Sequence, residues 1–193
     1  QLKKHLVDST AIVVENAPLF AAQEVFFASM SDTVSLHARI YGGLSVYLGV
    51  GFAYSTGRDF LKEKLHIVEK SESIQTAYDA LYTSAFAAAY SIPLYLFSGA
   101  SDTKEITLGT LGRGIIGFLN GAPQGYMLDV CRDLTGIQTC TRTSYPSFLR
   151  EKSFRTKQFF ALGLLCTSLV ALSSIYTLSE DKSLSLESIV VQE

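Results

Sequence analysis

The sequence predicts an all-α integral membrane protein, a bundle of four transmembrane helices followed by a fifth, C-terminal transmembrane helix. Three observations predict this fold class. Charged residues make up 18% of the chain, against roughly 25% in an ordinary soluble domain. They cluster in short polar segments that separate five weakly charged stretches, each with the roughly 20 residues that a helix needs to cross a bilayer. Lys and Arg are concentrated in alternate connections, as in membrane proteins with basic inner loops.

The five predicted spans are residues 9–29, 36–57, 74–97, 106–128 and 158–178. The last of them, QFFALGLLCTSLVALSSIYTL, carries no charge and is the strongest. The first four contain polar residues and a few charges, so a soluble helical bundle with buried polar groups stays the alternative. We divide the chain into a four-helix domain (1–134), a basic inner loop (135–157), an additional span (158–178) and an acidic outer tail (179–193).

The basic residues predict the orientation of the chain. Two Lys residues precede the first span, four basic residues separate the second from the third, and six separate the fourth from the fifth. The opposite side has only Lys104 and Lys182. Because inner loops are enriched in Lys and Arg, we expect the N-terminus inside and the acidic tail outside. The formal net charge of −2 gives no basic excess for nucleic acid.

The segment GFLNGAPQG, residues 117–125, places Gly117, Gly121 and Gly125 at four-residue spacing around Pro123. In water such a segment would be a poor helix. In a membrane, small residues every four positions let two helix backbones approach closely. The spacing therefore predicts a packing face toward another helix, either of this chain or of a second subunit, and packing without any further function is the alternative.

Ionisable residues within the predicted spans are costly and usually face a bundle interior or a wet cavity. They are Glu15, Glu24, Arg39, Asp79 and Arg113. Glu24, Arg39 and Arg113 fall in the outer half, where we expect Glu24 to pair with Arg39, although such a pair also suits a purely structural role.

The inner half holds Glu15 and Asp79, and no cation within the spans lies at matching depth. An unpaired, desolvated carboxylate is poised to gain and lose a proton, as proton-coupled transport requires. We therefore predict that Asp79, Glu15, Arg39 and Glu24 take part in transport or proton coupling. For Asp79, a helix-end position in contact with inner water is the alternative.

The sequence predicts no enzyme, cofactor site or metal site. The three His residues are scattered, and the three Cys residues form neither a CxxC pair nor a zinc pattern. No phosphate-binding loop, catalytic triad or dinucleotide fingerprint is present.

Several blocks, in order and with similar spacing, resemble the small bacterial L-alanine exporter family over about residues 6–134. They are LVDSTAIVVENAPLFAAQEVFFASM, ARIYGG, YSTGRDF, YDALYTSAFAAAYSIPLYLFSGA and NGAPQGYMLDVCRDL. The resemblance implies a compact, lipid-embedded inner-membrane protein that self-associates and uses proton motive force to export L-alanine or related small amino acids. It also implies that Gly121 and Gly125 serve helix association and that Asp79 serves transport, while Arg39 matches an arginine of the family.

The chain also departs from the family pattern. It continues into a fifth span and a tail, and Glu15, Arg113, Pro123 and Gln124 go beyond the expected motifs. An accessory or structural subunit that kept the fold without transport, bound to other membrane subunits of an organellar inner membrane, is therefore the second hypothesis. Because the chain begins with Gln1 rather than Met, we expect trimming or loss of a presequence, and an organellar presequence would favour this second hypothesis.

Overall fold

The computed structural model describes the backbone of residues 1–190 and the side chains of residues 1–179. Every regular element in this part of the chain is helical, so the predicted all-helical class is confirmed. The α-helices are α1 (Leu2–Ala22), α2 (Asp32–Ser45), α3 (Gly51–Lys64), α4 (Glu72–Phe97), α5 (Thr103–Leu134), α6 (Ser147–Arg150) and α7 (Phe154–Val190). Two π-helical segments, Gln23–Phe27 and Val46–Val50, extend α1 and join α2 to α3, and a 3₁₀ turn spans Ile67–Glu69.

The second predicted span, 36–57, is not one straight helix. Its chain passes from α2 to α3 through the π-helical segment, inside which Gly49 has φ 139° and ψ −19°. Residues with a side chain rarely adopt this backbone conformation, whereas glycine adopts it without a steric penalty. The prediction of an uninterrupted helix there was wrong because low charge reports on burial and does not report on a local break.

Helices α4 and α5 form an antiparallel hairpin, which is the most extensive helix pair of the molecule. The connection is short because Gly99, just after α4, takes a left-handed φ of 95°. Asp102 then starts α5, since its side chain accepts a hydrogen bond of 2.9 Å from the backbone N–H of Lys104. Helix α1 packs against α5 on one side and against α7 on the other.

The distribution of polarity is inverted relative to that of a soluble protein. Large apolar side chains point outward, as in Leu48 with 86% and Phe97 with 80% exposure. Charged side chains are instead buried in the bundle, and those with less than 5% exposure are Asp8, Glu24, Arg58, Asp79, Arg113 and Arg132. An apolar surface around a charged interior is expected where lipid is the surrounding solvent.

Two of the described helices are long and apolar enough to cross a membrane, α4 and residues Phe154–Ser179 of α7. They coincide with the third and fifth predicted spans. The first, second and fourth are helical but fall short of this criterion, since they carry more charged and small polar residues, and as membrane crossings they stay predictions. Helix α7 continues past the predicted boundary at 178 to Val190, and the side chains of the predicted acidic tail from residue 180 onward lie outside the described residues.

Candidate functional site

One buried ionic cluster, here called the Glu24 cluster, joins the end of α1 to α2 and α5. The predicted pair between Glu24 and Arg39 is present, and a second guanidinium group, that of Arg113, donates to the same Oε1 at 2.9 Å. Ser35 donates to Glu24 Oε2 at 2.9 Å, and Arg113 Nε donates to the Tyr95 hydroxyl at 2.8 Å. One carboxylate thus holds two arginines, so the cluster carries a surplus positive charge.

A second and larger cluster, here called the Asp79 network, lies at the opposite end of the bundle. Arg58 forms a forked pair with Asp79, with Nε to Oδ1 at 2.8 Å and Nη2 to Oδ2 at 3.0 Å. Arg142 donates to Asp79 Oδ2 at 2.8 Å and to Asp129 Oδ2 at 2.7 Å. The ammonium group of Lys62 lies 3.8 Å from Asp79 Oδ2.

The prediction that Asp79 lacks a matched cation was therefore wrong. Sequence position placed Arg58 and Arg142 in connections, whereas the structure buries both side chains. Arg58 belongs to α3, which runs beyond the predicted end of the second span, and Arg142 returns from the loop after α5. The role of Asp79 in proton coupling stays a prediction.

The network continues from Asp79 toward the N-terminal turn of α1. Arg132 holds Asp8 with Nε at 2.7 Å and Nη2 at 2.8 Å, and Lys4 donates to Asp8 at 2.9 Å. Asp59 accepts from Lys4 and from Arg132, each at 3.2 Å. Sequence reasoning missed these functional candidates, although the Arg-Asp pairs in YSTGRDF and MLDVCRDL mark two of the helices that meet here.

The three predicted glycines lie along the contact between α5 and α4. A Cβ atom at Gly117 would lie 3.0 Å from the Ser84 Cα, and one at Gly121 would meet the backbone of Asp79 and Ala80. At Gly125 it would meet the carboxyl group of Asp79 itself. The glycine face is thus occupied within the chain, and the last glycine leaves the space for the Asp79 carboxylate. Self-association stays a prediction.

Between the two clusters lies a cavity of about 100 Å³. Its walls come from α1, the α2–α3 segment, α4 and α5, and they are mostly apolar, with Phe86 and Tyr90 among them. Arg39 and Arg113 line it next to the Glu24 cluster, while Gln124 lies on its wall one residue before Gly125. The arrangement is a small, largely apolar chamber with a few polar groups, which is the usual character of a small-molecule site.

Two polar groups of the cavity wall have buried nitrogen atoms without a hydrogen-bond partner, Arg39 Nε and Gln124 Nε2. The oxygen of the Gln124 amide is engaged by the side-chain amide of Asn16. Buried polar atoms are normally paired, so unpaired donors at a cavity call for an explanation.

Glu15 precedes Asn16 on α1, and Asn120 donates to the Asn16 side chain at 3.2 Å. The Glu15 Oε2 atom is buried and has no hydrogen-bond partner, and no ion pair reaches its carboxyl group from the described side chains. Asn120 is within hydrogen-bonding reach of the same carboxyl group. The structure thus leaves Glu15, unlike Asp79, without a cation, as the sequence predicted.

The segment after α5 is anchored by Asp133 at the end of that helix. Lys157 donates to Asp133 Oδ2 at 2.6 Å, and the Tyr145 hydroxyl donates to it at 2.8 Å. Burial alone would raise the pKa of Asp133, but these hydrogen bonds hold it below its ordinary value. Among residues 1–179, no group of three His, Cys, Asp or Glu side chains is placed to hold a metal ion.

Comparisons with known proteins agree on one kind of relative. A family model described as L-alanine exporter matches residues 1–138. The L-alanine exporter AlaE of Escherichia coli (strain K12) is 28% identical over 134 residues, which are 69% of this chain and 89% of the relative. The protein of that name from Cronobacter sakazakii is 26% identical over 144 residues, 75% of this chain and 90% of the relative. No solved structure matches the chain.

Proposed function

Because the chain belongs to the L-alanine exporter family, whose model covers residues 1–138, we propose that it exports L-alanine or a related small amino acid across a membrane. It is then a transporter rather than an enzyme. The matched region contains α1 to α5, and these helices build the whole wall of the cavity between the two ionic clusters. The substrate passes through this cavity.

The size of the cavity and the charged groups in its wall carry the proposal. An engineered apolar cavity of about 150 Å³ holds benzene, which has six heavy atoms. L-alanine also has six heavy atoms. A cavity of about 100 Å³ is therefore close to the size that a small amino acid needs, if a few side chains of the wall shift when it binds. The surrounding charges suit a zwitterion, which a fully apolar chamber would exclude.

The membrane is proposed to be a bacterial inner membrane, with the N-terminus inside. The apolar exterior of the bundle supports lipid as the surroundings. The basic residues support this orientation, since the Asp79 network gathers the Lys and Arg residues near the predicted inner face.

Proton coupling is proposed to use Glu15, with Asp79 as the second carboxylate. Glu15 is a buried carboxylate with no cation partner among the described side chains, so it can take up or release a proton without breaking an ion pair. Protonation of Asp79 would instead weaken its bonds to Arg58 and Arg142. Such a change would loosen the network and thereby couple a proton to helix movement.

The test is export from vesicles that contain the purified protein and labelled L-alanine. The wild-type protein is expected to release L-alanine when a proton gradient is imposed. Gly43→Leu should reduce this release, because Gly43 lines the cavity and the open space around an added Cβ atom lets a leucine side chain fit without disturbing the fold. Gly163→Leu is the matched control, since this glycine of α7 is equally open and lies away from the cavity.

Two results would contradict the proposal. Wild-type vesicles that never export L-alanine, from a protein that migrates natively with a large membrane assembly, would favour the accessory-subunit hypothesis. Equal export by wild-type protein and Gly43→Leu, with Gly43→Leu shown to be folded, would mean that the substrate does not use this cavity.

A further inference from the structure

Arg39 is a charged residue of the cavity wall, and one of its N–H donors has no hydrogen-bond acceptor. Its side chain is 8% exposed, and Glu24 holds one of its terminal nitrogens. The Nε atom of the same guanidinium group is buried and has no partner. A buried guanidinium N–H without an acceptor is costly, because the group has lost water and gained nothing in exchange. The guanidinium carbon of Arg39 lies 5.7 Å from the centre of the Phe20 ring, but a ring face is a weaker acceptor than an oxygen atom. An oxygen acceptor that binds at Nε would therefore complete the hydrogen bonding of Arg39.

In the neighbouring Arg113, both the Nε and the Nη2 atoms already have acceptors. Arg113 donates from Nη2 to Glu24 and from Nε to Tyr95, and its guanidinium carbon lies 4.5 Å from the centre of the Phe20 ring. Arg113 is thus fixed in place, whereas Arg39 keeps a free donor.

The charge of the cluster specifies the kind of acceptor. Among the described side chains, Glu24 is the carboxylate that pairs with either arginine, so two guanidinium groups share one negative charge. A surplus positive charge in a poorly solvated site favours an anion over a neutral acceptor. A carboxylate fits best, since guanidinium groups and carboxylates form short, charge-assisted hydrogen bonds.

We propose that Arg39 Nε binds the carboxylate of a small zwitterionic amino acid inside the cavity, while the aromatic wall receives its ammonium group. This inference rests on the proposed function and names the residue that orients the substrate. The aromatic wall consists of Tyr54, Phe86 and Tyr90, with Tyr54 and Phe86 centred 5.1 Å apart and Phe86 and Tyr90 6.5 Å apart. Ring faces attract ammonium groups within about 6 Å.

The hydroxyl groups of this wall complete the ammonium site. Tyr54 and Thr83 share a hydrogen bond of 2.6 Å, so each oxygen retains a lone pair that an ammonium group can use. The cavity volume of about 100 Å³ matches a ligand with a small side chain. The ligand class is therefore an α-amino acid with a small side chain, bound through both its carboxylate and its ammonium group.

The first experiment uses the wild-type protein and compares L-alanine with L-alaninamide, which has the same number of heavy atoms but lacks the carboxylate. Binding of each compound to the purified protein in detergent is measured by calorimetry, and unlabelled L-alaninamide is tested as a competitor of L-alanine export. L-alanine is expected to bind at least roughly tenfold more tightly, because the uncharged amide oxygen accepts a weaker hydrogen bond from Arg39 than a carboxylate does.

The second experiment uses Arg39→Lys, which keeps a cation beside Glu24 but removes the Nε donor. Its affinity for L-alanine should fall roughly tenfold or more, and its affinity for L-alaninamide should fall by a smaller factor, because the amide loses only a neutral hydrogen bond. Arg155→Lys is the matched control, since Arg155 is exposed and remote from the cavity, and it should bind both compounds as the wild type does.

The outcomes separate this inference from the proposed function. A wild-type protein that neither binds nor exports L-alanine would contradict the proposed function. Export of L-alanine together with equal binding of L-alaninamide would overturn the carboxylate site alone, and this result does not depend on whether the Arg39 variant folds. Unchanged affinity of a folded Arg39→Lys protein for L-alanine would overturn the role of Arg39.

Discussion

Replacing Gly121 by Ala would insert a methyl group at a position where α5 touches the backbone of α4. An ideal Cβ atom there would approach the Cα and N atoms of Ala80 and lie 2.5 Å from the carbonyl oxygen of Asp79. These are backbone atoms, so no rotamer change can remove the clash and the two helices must move apart. Because Asp79 is one of the residues displaced, the change also reaches the buried ion pair with Arg58.

The magnitude follows from two opposing effects. Overpacking a tight contact costs about 1–3 kcal/mol, and we expect the upper end because the neighbours are backbone atoms. The better helix propensity of Ala offsets about 1 kcal/mol. The net loss for Gly121→Ala is therefore about 2 kcal/mol, which corresponds to a fall of about 4–8 °C in the unfolding temperature of a chain of this size.

Gly114→Ala is the matched control for this prediction. Gly114 lies on the same helix and faces the same neighbour, but its added Cβ atom would meet the Ala88 Cβ at 3.6 Å and the Ser84 Oγ at 4.0 Å, which are ordinary contacts. This variant should be as stable as the wild type or slightly more stable. Thermal unfolding of the purified proteins in one detergent measures both, and a Gly121→Ala protein as stable as Gly114→Ala would refute the reasoning.

Four further predictions concern the ionic groups and the orientation. Asp79→Asn should lose pH-driven export of L-alanine and about 3 kcal/mol of stability, because it breaks buried ion pairs; full export by the variant would exclude a role in coupling. Arg142→Gln should lower the free energy of unfolding by about 1–3 kcal/mol, measured by thermal unfolding, since two carboxylates lose a donor. The lowered pKa of Asp133 gives a stability contribution that is present at neutral pH and is lost as the pH falls below about 4, so Asp133→Asn should flatten the pH dependence of unfolding in that range. A cysteine at Ser183 should react with an impermeant reagent from outside and one at Ser71 should not, whereas reaction of both from one side would contradict the predicted orientation.

The positions of the main helices could be predicted because low charge over about 20 residues is a property of the local sequence. The third, fourth and fifth stretches are helical throughout, the first is helical to Phe27, and the second is helical on both sides of Gly49. The bend at Gly49 could not be predicted in the same way. A glycine within a continuous helix and a glycine at a break contribute equally to the low charge of a stretch, so the charge pattern does not distinguish them. The distinction depends on the contacts of the neighbouring helices.

The Glu24 cluster and the Asp79 network show why one ionic site could be predicted and the other only in part. Glu24 and Arg39 are separated by 15 positions and one turn between helices, so a pair at matching depth followed directly from the order of the spans. Asp79 and Arg142 are 63 positions apart. Arg142 reaches its partner through a loop that folds back under the bundle, and no periodic pattern in the sequence encodes such a return.

The two ionic clusters have the same sign of net charge, and under the proposed function this bears on how a substrate would pass. Ionised throughout, the described groups of the Asp79 network are five cations and four carboxylates, and those of the Glu24 cluster are two cations and one carboxylate. The members of the network are Lys4, Arg58, Lys62, Arg132, Arg142, Asp8, Asp59, Asp79 and Asp129. Each cluster thus has one positive charge in excess, which a substrate carboxylate can compensate. A single positive site would retain the substrate. Two similar sites let the substrate bind at one, transfer to the other and leave without a deep energy minimum. Passage through a selective pathway requires binding that is weak enough, or spread over enough sites, for the substrate to leave.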